Sequence, residues 1–243
     1  QGVSSAASDV YKRQLLALAD GRPASDFPRA DLGPDDPFGA VRQVAYQGDD
    51  GVSAGIVQGA VDGTVEHYPH VETLVVHAGR VSLQDKHHAL ELCVGESVVI
   101  GRGTAVRIQA SADALWAFCA YQQDSAAAQP GLTPLPAYAP LNPSLPPGEQ
   151  ILLGPAPQCR SHNAYADTAA NLLIGIWDST PYARRSRPHK VHELMYLIEG
   201  SVTLSLEGDA QLKVNTGDSV FVPLGVPCAW TSSVYVRKFY VVK

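Results

Sequence analysis

Apolar residues along this chain fall in short runs separated by glycine, proline and polar clusters. TLVVHAGRVSLQ and LMYLIEGSVTLSL are rich in Val, Leu, Ile and Tyr, and each is broken in the middle by a glycine. β-Branched and aromatic residues suit a pleated, packed surface, and the glycine supplies the turn, so each run predicts a β-hairpin. GESVVIGRGTAVRI and GDSVFVPLGVPCAW each set a short strand between glycine turns. Helical spacing is absent apart from a weak LLALA segment at residues 15–19. Many short strands with regular turns predict an all-β sandwich or small barrel.

The pattern occurs twice. Glu72 is followed by Gly79 and Glu193 by Gly200; Gly95 is followed by Gly103 and Gly217 by Gly225. The copies are offset by 193 − 72 = 121 and 217 − 95 = 122 positions. A nearly constant offset over four landmarks predicts two copies of one module, over residues 50–122 and 170–243. Residues 15–49 precede the first copy, and residues 123–169 form a proline-dense connector. Its core, 129–158, suits neither a helix nor a central strand. An extended path packed on the barrels through Leu132, Leu135, Tyr138 and Leu141 is expected there. The opening QGVSSAASDVYKRQ, residues 1–14, is similar to a run that recurs at the ends of translated environmental fragments, and it is set aside from the fold.

The formal net charge of −6, with no basic stripe, argues against a nucleic-acid partner. No apolar run approaches the ~18 residues of a membrane helix, so no membrane partner is expected. Cys93, Cys119, Cys159 and Cys228 form no CxxC pair and predict neither a disulfide framework nor a zinc knuckle. A soluble cytoplasmic protein is the expectation, and a homodimer is compatible with it. No nucleophile elbow, phosphate-binding glycine loop or HExxH is present.

The landmarks resemble the two motifs of the cupin superfamily. Glu193-x6-Gly200 and Gly217-x5-Pro223-x-Gly225 match both without a gap. Glu72-x6-Gly79 matches the first, and Gly95-x5-Gly101-x-Gly103 matches the second with glycine replacing proline. The ending GDSVFVPLGVPCAWTSSVYVRKFYVV is similar to the group holding ureidoglycine aminohydrolase and ethanolamine-utilisation cupins. The resemblance implies two tandem cupin barrels, each a jelly roll or double-stranded β-helix. It leaves function open, because cupins host many activities.

In the second module the family's metal-ligand positions fall on Arg187, His189, Glu193 and Cys228. By strand alternation Arg187, His189, Val191, Glu193, Met195 and Leu197 share one face, while His192 has the opposite parity and is expected to point outward. Arginine cannot ligate. Two arrangements follow. His189, Glu193 and Cys228 hold one divalent ion, zinc, iron or, less suited to a thiolate, manganese. Alternatively, Arg187 pairs with Glu193 and stands in for the metal. In the first module Glu66, Tyr68, His70 and Glu72 form a similar stripe opposite Val106, which holds an ion or is filled by its own hydrogen bonds. Trp177 and Trp230 are expected in the core. Arg184, Arg185 and Arg187 are the candidate ligand-binding residues, suited to drawing a carboxylate to a barrel mouth.

Two functions are therefore expected from the sequence. One is a metal-dependent hydrolase of the ureidoglycine aminohydrolase type acting on a small carboxylate-bearing molecule. The other is a non-catalytic bicupin with a degenerate metal site that binds a small ligand or serves structure alone.

Overall fold

The computed structural model describes residues 14–122, 129–205 and 211–243. The leader expected over residues 1–14 lies outside these residues except for Gln14, which opens a strand. The fold is all-β, and it is built from two jelly-roll barrels.

The first barrel packs a six-stranded sheet on a four-stranded one. The larger runs Leu132–Pro134, Ser97–Ile100, Val71–Ala78, Leu115–Tyr121, Val52–Gln58, Arg42–Gln47. The smaller runs Val61–Val65, Val106–Ala110, Val81–Gln84, Ala89–Leu92. The second barrel repeats this plan. Its seven-stranded sheet runs Gln14–Ala17, Ser219–Val222, Glu193–Glu199, Val236–Val242, Leu172–Ser179, Cys159–Asp167, Asn142–Ser144. Its four-stranded sheet runs Tyr182–Pro188, Pro227–Ser232, Ser201–Ser205, Gln211–Asn215. All described pairings are antiparallel, as hairpin-linked strands require.

Two sequence expectations change. LLALA is not helical: Gln14–Ala17 pairs with Ser219–Val222, so the start of the chain completes the barrel at its other end. Tertiary pairing overrides the weak local helix preference. In the connector, Leu132 and Leu135 are buried and Leu141 packs on the core, but Tyr138 stands exposed. Leu132–Pro134 and Asn142–Ser144 occupy sheet edges, where a proline needs no partner for its missing N–H, while the last part of the expected connector, Cys159–Asp167, is a full strand of the second barrel's large sheet.

Leu115–Tyr121, LWAFCAY, is buried at every position. Alternation explains this. Trp116, Phe118 and Ala120 face the first barrel's interior, whereas Leu115, Ala117, Cys119 and Tyr121 face a cluster shared with the second barrel. From the other side Leu194, Tyr196, Phe221, Phe239 and Val241 enter the same cluster, while Met195, Leu197, Val220 and Val222 line the second interior. The barrels are thus joined back to back through their large sheets. The two family-motif glycines do equivalent work. Gly79 and Gly200 have φ of +66° and +81°, and a Cβ at either would strike backbone, near Ala114 in one copy and at the Tyr235 carbonyl in the other.

Polar side chains also cross this interface. His192 leaves its barrel as parity predicts, yet it is buried rather than outward-facing. Its Nδ1 accepts the Leu224 N–H at 3.0 Å, so Nε2 carries the proton it donates to Asp50 Oδ2 at 2.7 Å. His77 Nδ1 lies 3.1 Å from the Leu18 carbonyl and Nε2 2.7 Å from Ser219 Oγ. A neutral ring satisfies both partners, and burial holds its pKa below the ordinary value of about 6.5. Because the folded pKa is depressed, the unfolded chain takes up the proton first as pH falls. This stability is present above about pH 6.5 and is lost at lower pH, by at most ~1.4 kcal/mol per pH unit. Urea unfolding at pH 7.5 and pH 5.5 checks this: the wild type should lose stability on acidification, and His77→Gln should lose less. An equal loss in both would count against the role of His77.

Among the described residues no helix is long and apolar enough to cross a membrane.

Candidate ligand pocket and the buried cations

The second barrel holds a cavity of about 210 Å³. Its polar lining is Arg184, Arg187, His189, Lys190, Glu193 and Lys238, and aromatic walls come from Trp177, Tyr182 and Trp230. Arg187 and Glu193 do not lie on one strand as the parity count supposed. Tyr182–Pro188 belongs to the small sheet and Glu193–Glu199 to the large one. The chain crosses between sheets at His189–His192, where the His189 N–H donates to the Val226 carbonyl and the Gly225 N–H to the His189 carbonyl. The second-motif turn thereby clamps the crossing, and residues from both sheets point into one space.

The expected Arg187–Glu193 pair is not formed. Glu193 is met by Lys238, whose Nζ lies 2.7 Å from Oε1 and 3.2 Å from Met195 Sδ. The same ammonium sits 4.7 Å from the Trp177 ring centre and 5.1 Å from that of Trp230, both favourable cation–π distances. On its other oxygen Glu193 faces His189 Nε2 at 3.2 Å. Burial alone would raise the Glu193 pKa, but Lys238 and then His189 outweigh it and hold the carboxyl well below the usual range. Parity failed for Arg187 because it assumed an unbroken strand, and Lys238 was missed because it lies outside both family motifs. An alternating reading of VYVRKFYVV places Lys238 inward with Val236, which was the available signal.

The other predicted residues divide. Arg184 is buried, lines the cavity and donates through Nη1 to the Cys228 carbonyl at 2.7 Å. Arg187 is half-buried and lines it too. Arg185 is exposed and outside it. Cys228 is buried in the cavity wall, but its Sγ faces the Ala229 carbonyl at 3.3 Å. Among the described residues no three of His, Cys, Asp and Glu are grouped to hold a metal ion. His189 and Glu193 are the two that face each other, and an ammonium already occupies the carboxylate. This donor set does not fit a divalent ion. Trp177 and Trp230 serve both core and cavity wall.

The first barrel closes the matching place with arginine. Arg42 donates through Nε and Nη2 to Asp36 at 2.7 and 2.9 Å and through Nη1 and Nη2 to Glu72 at 2.9 and 3.0 Å. Tyr68 Oη donates to Glu72 at 2.8 Å, and His70 Nε2 lies at the same distance. The side chains of Arg42, Asp36 and Glu72 are all 0% exposed. Burial would raise the Glu72 pKa, but Arg42 and His70 lower it to about 2. The stripe Tyr68, His70, Glu72 is therefore filled by its own hydrogen bonds, and Glu66 stays exposed outside it. The two cations come from different strands. By register, Lys238 corresponds to Trp116 of the first barrel, these facing Trp177 and Val57 respectively.

A larger groove of about 690 Å³ lies along Val61–Val65. It is open and bordered by Asp35, Asp62 and Glu66, and of the predicted site residues Glu66 alone lines it among those described. The convergent groups lie in the smaller cavity.

The model of the EutQ-like cupin domain matches residues 168–240. The chain is similar to a protein of unknown function of the DUF861 family from Pseudomonas syringae pv. tomato str. DC3000. Identity is 51%, the TM-score is 0.92, and the match covers 96% of this chain and 100% of that one. It is also similar to a Cupin 2 conserved barrel domain protein from Leptotrichia buccalis, at 12% identity and TM-score 0.57, over 82% of this chain and 86% of that one. The protein Ylba of DUF861 from E. coli matches at 11% identity and TM-score 0.50, over 80% and 84% of the two chains. At these identities the last two speak for the fold alone. No curated protein matches the sequence.

Proposed function

From a chain that belongs to the DUF861 family of cupin-fold proteins, we propose a binder of a small carboxylate-bearing molecule in which Lys238 takes the place of a metal. The observation that carries this reading is the Lys238 ammonium, 2.7 Å from Glu193 in a cavity also lined by Arg184, Arg187 and Lys190. Among the described residues Glu193 is the one acidic residue in that lining, so the cavity favours an anion. Guanidinium groups match carboxylate geometry through paired hydrogen bonds. At about 210 Å³ the cavity is smaller than the ~300–1,000 Å³ typical of drug-sized ligands, which points to a small molecule.

The hydrolase reading, of the ureidoglycine aminohydrolase type, would need an ion to polarise a carbonyl or acidify water. That ion would have to sit against Glu193, where Lys238 already lies. Binding without metal-assisted turnover is the better supported function.

Calorimetric titration of propionate into the protein, before and after treatment with a chelator, tests this. The expected result is unchanged affinity and metal well below one per chain. One tightly bound metal per chain, with affinity lost on chelation and restored by zinc or manganese, would return the hydrolase to first place.

A further inference from the structure

Resting on the assignment of the second-barrel cavity as a carboxylate site, we infer that its ligand carries two negative charges, as a small dicarboxylate does, one for each of Arg184 and Arg187. The inference begins with a β-bulge. Arg184 pairs with Trp230 and Arg187 with Cys228 across the ladder, so Arg185 and Ser186 together oppose the single residue Ala229. In a regular strand, residues three apart face opposite sides. The extra residue reverses that parity, and both Arg184 and Arg187 line the cavity while Arg185 is left exposed. The corresponding ladder of the first barrel, Val61–Val65 against Val106–Ala110, is regular from end to end. The bulge therefore belongs to the barrel that keeps a cavity.

The charges in this space do not balance within the protein. Lys238 is matched by Glu193, and Lys190, which also lines the space, is exposed to solvent. Among the described residues neither Arg184 nor Arg187 has a carboxylate within ion-pair distance, although Arg184 is only 7% exposed. Burial and then the neighbouring Arg184 hold the Arg187 pKa below the usual arginine range, as expected of like charges that lack an anion. A buried cation without a counter-ion is costly, and a ligand bearing two carboxylates would relieve both. Arg184 is already oriented by its bond to the Cys228 carbonyl. Tyr182 and Trp230, stacked at 5.7 Å, offer an apolar wall for a short carbon skeleton, which favours a dicarboxylate over inorganic phosphate.

The test is calorimetry at fixed pH and ionic strength with succinate, propionate and inorganic phosphate, on the wild type, Arg187→Gln and Arg187→Lys. One charge-assisted contact is worth roughly 10- to 100-fold in affinity, so succinate should bind the wild type more tightly than propionate by about that factor. Arg187→Gln should shrink the preference to within about threefold while propionate, held by Arg184, still binds. Arg187→Lys keeps the charge and should retain more of the preference than Arg187→Gln. Equal affinities for succinate and propionate in the wild type would overturn the two-charge inference and leave the carboxylate site standing. Tighter binding of phosphate than of succinate would overturn the dicarboxylate class. Failure of both carboxylates to bind would overturn the inference together with the site.

Discussion

Arg42→Met should lower the folding free energy by about 3–5 kcal/mol, the range for breaking a buried ion pair from one side. The substitution leaves two fully buried carboxylates, Asp36 and Glu72, without their shared cation. It also removes the guanidinium plane from the Phe118 ring, 4.2 Å away. For a chain of this size the loss corresponds to a melting-temperature drop of roughly 6–20 °C. The pH dependence should change as well. In the wild type the Glu72 carboxyl has a pKa of about 2, so it contributes stability above its unfolded value of about 4.3, and loses it as pH falls toward 2. In Arg42→Met the buried carboxyl gains by protonation, and the deficit relative to wild type should narrow on going from pH 7 to pH 4. Denaturant titrations at both pH values check this. A deficit under ~1 kcal/mol at pH 7 would mean that Asp36 and Glu72 find other partners.

Lys238→Met should cost less in stability and more in binding. Glu193 is 12% exposed to the cavity, so water softens the loss of its cation, and about 2–3 kcal/mol is expected. The larger effect is on the ligand. Removing Lys238 leaves the Glu193 charge uncompensated inside the cavity, and a carboxylate would then meet a carboxylate. Propionate affinity should fall by at least about tenfold. The double variant Lys238→Met/Glu193→Gln removes both charges. It should recover most of the stability and part of the affinity, because Arg184 and Arg187 remain. If the double variant is as weak as the single one, Lys238 itself contacts the ligand rather than neutralising Glu193. If Lys238→Met binds propionate as well as wild type, the pair has no part in the site.

The glycines and glutamates repeated at a near-constant offset made the tandem barrels legible, because a motif glycine answers a local need. Gly79 and Gly200 both turn a hairpin at positive φ with no room for a Cβ. Alternation likewise placed Glu193 and Met195 toward the cavity, since side-chain direction is set by the strand itself, whereas His189 and Val191 reach the same cavity from the crossing between sheets. Both signals act over a few residues and need no knowledge of distant neighbours.

What the residues alone determined was thus the all-β class, the duplication and the inward face of the second motif strand. The tertiary structure decided which charges meet. Glu193 takes Lys238 and not Arg187, because the chain changes sheets between residues 187 and 193 while Lys238 lies beside Leu197 on the adjacent strand. Glu72 takes Arg42, thirty positions away and outside the repeated motifs. His192 points out of its barrel as alternation requires, but only the second barrel's docking makes that direction buried and gives it Asp50 as a partner. A bulge of one residue turns Arg184 and Arg187 to the same side. Sheet order, register and bulges arise from the packing of whole strands against one another, and ion pairs follow that packing because charge attraction depends on distance in space rather than along the chain.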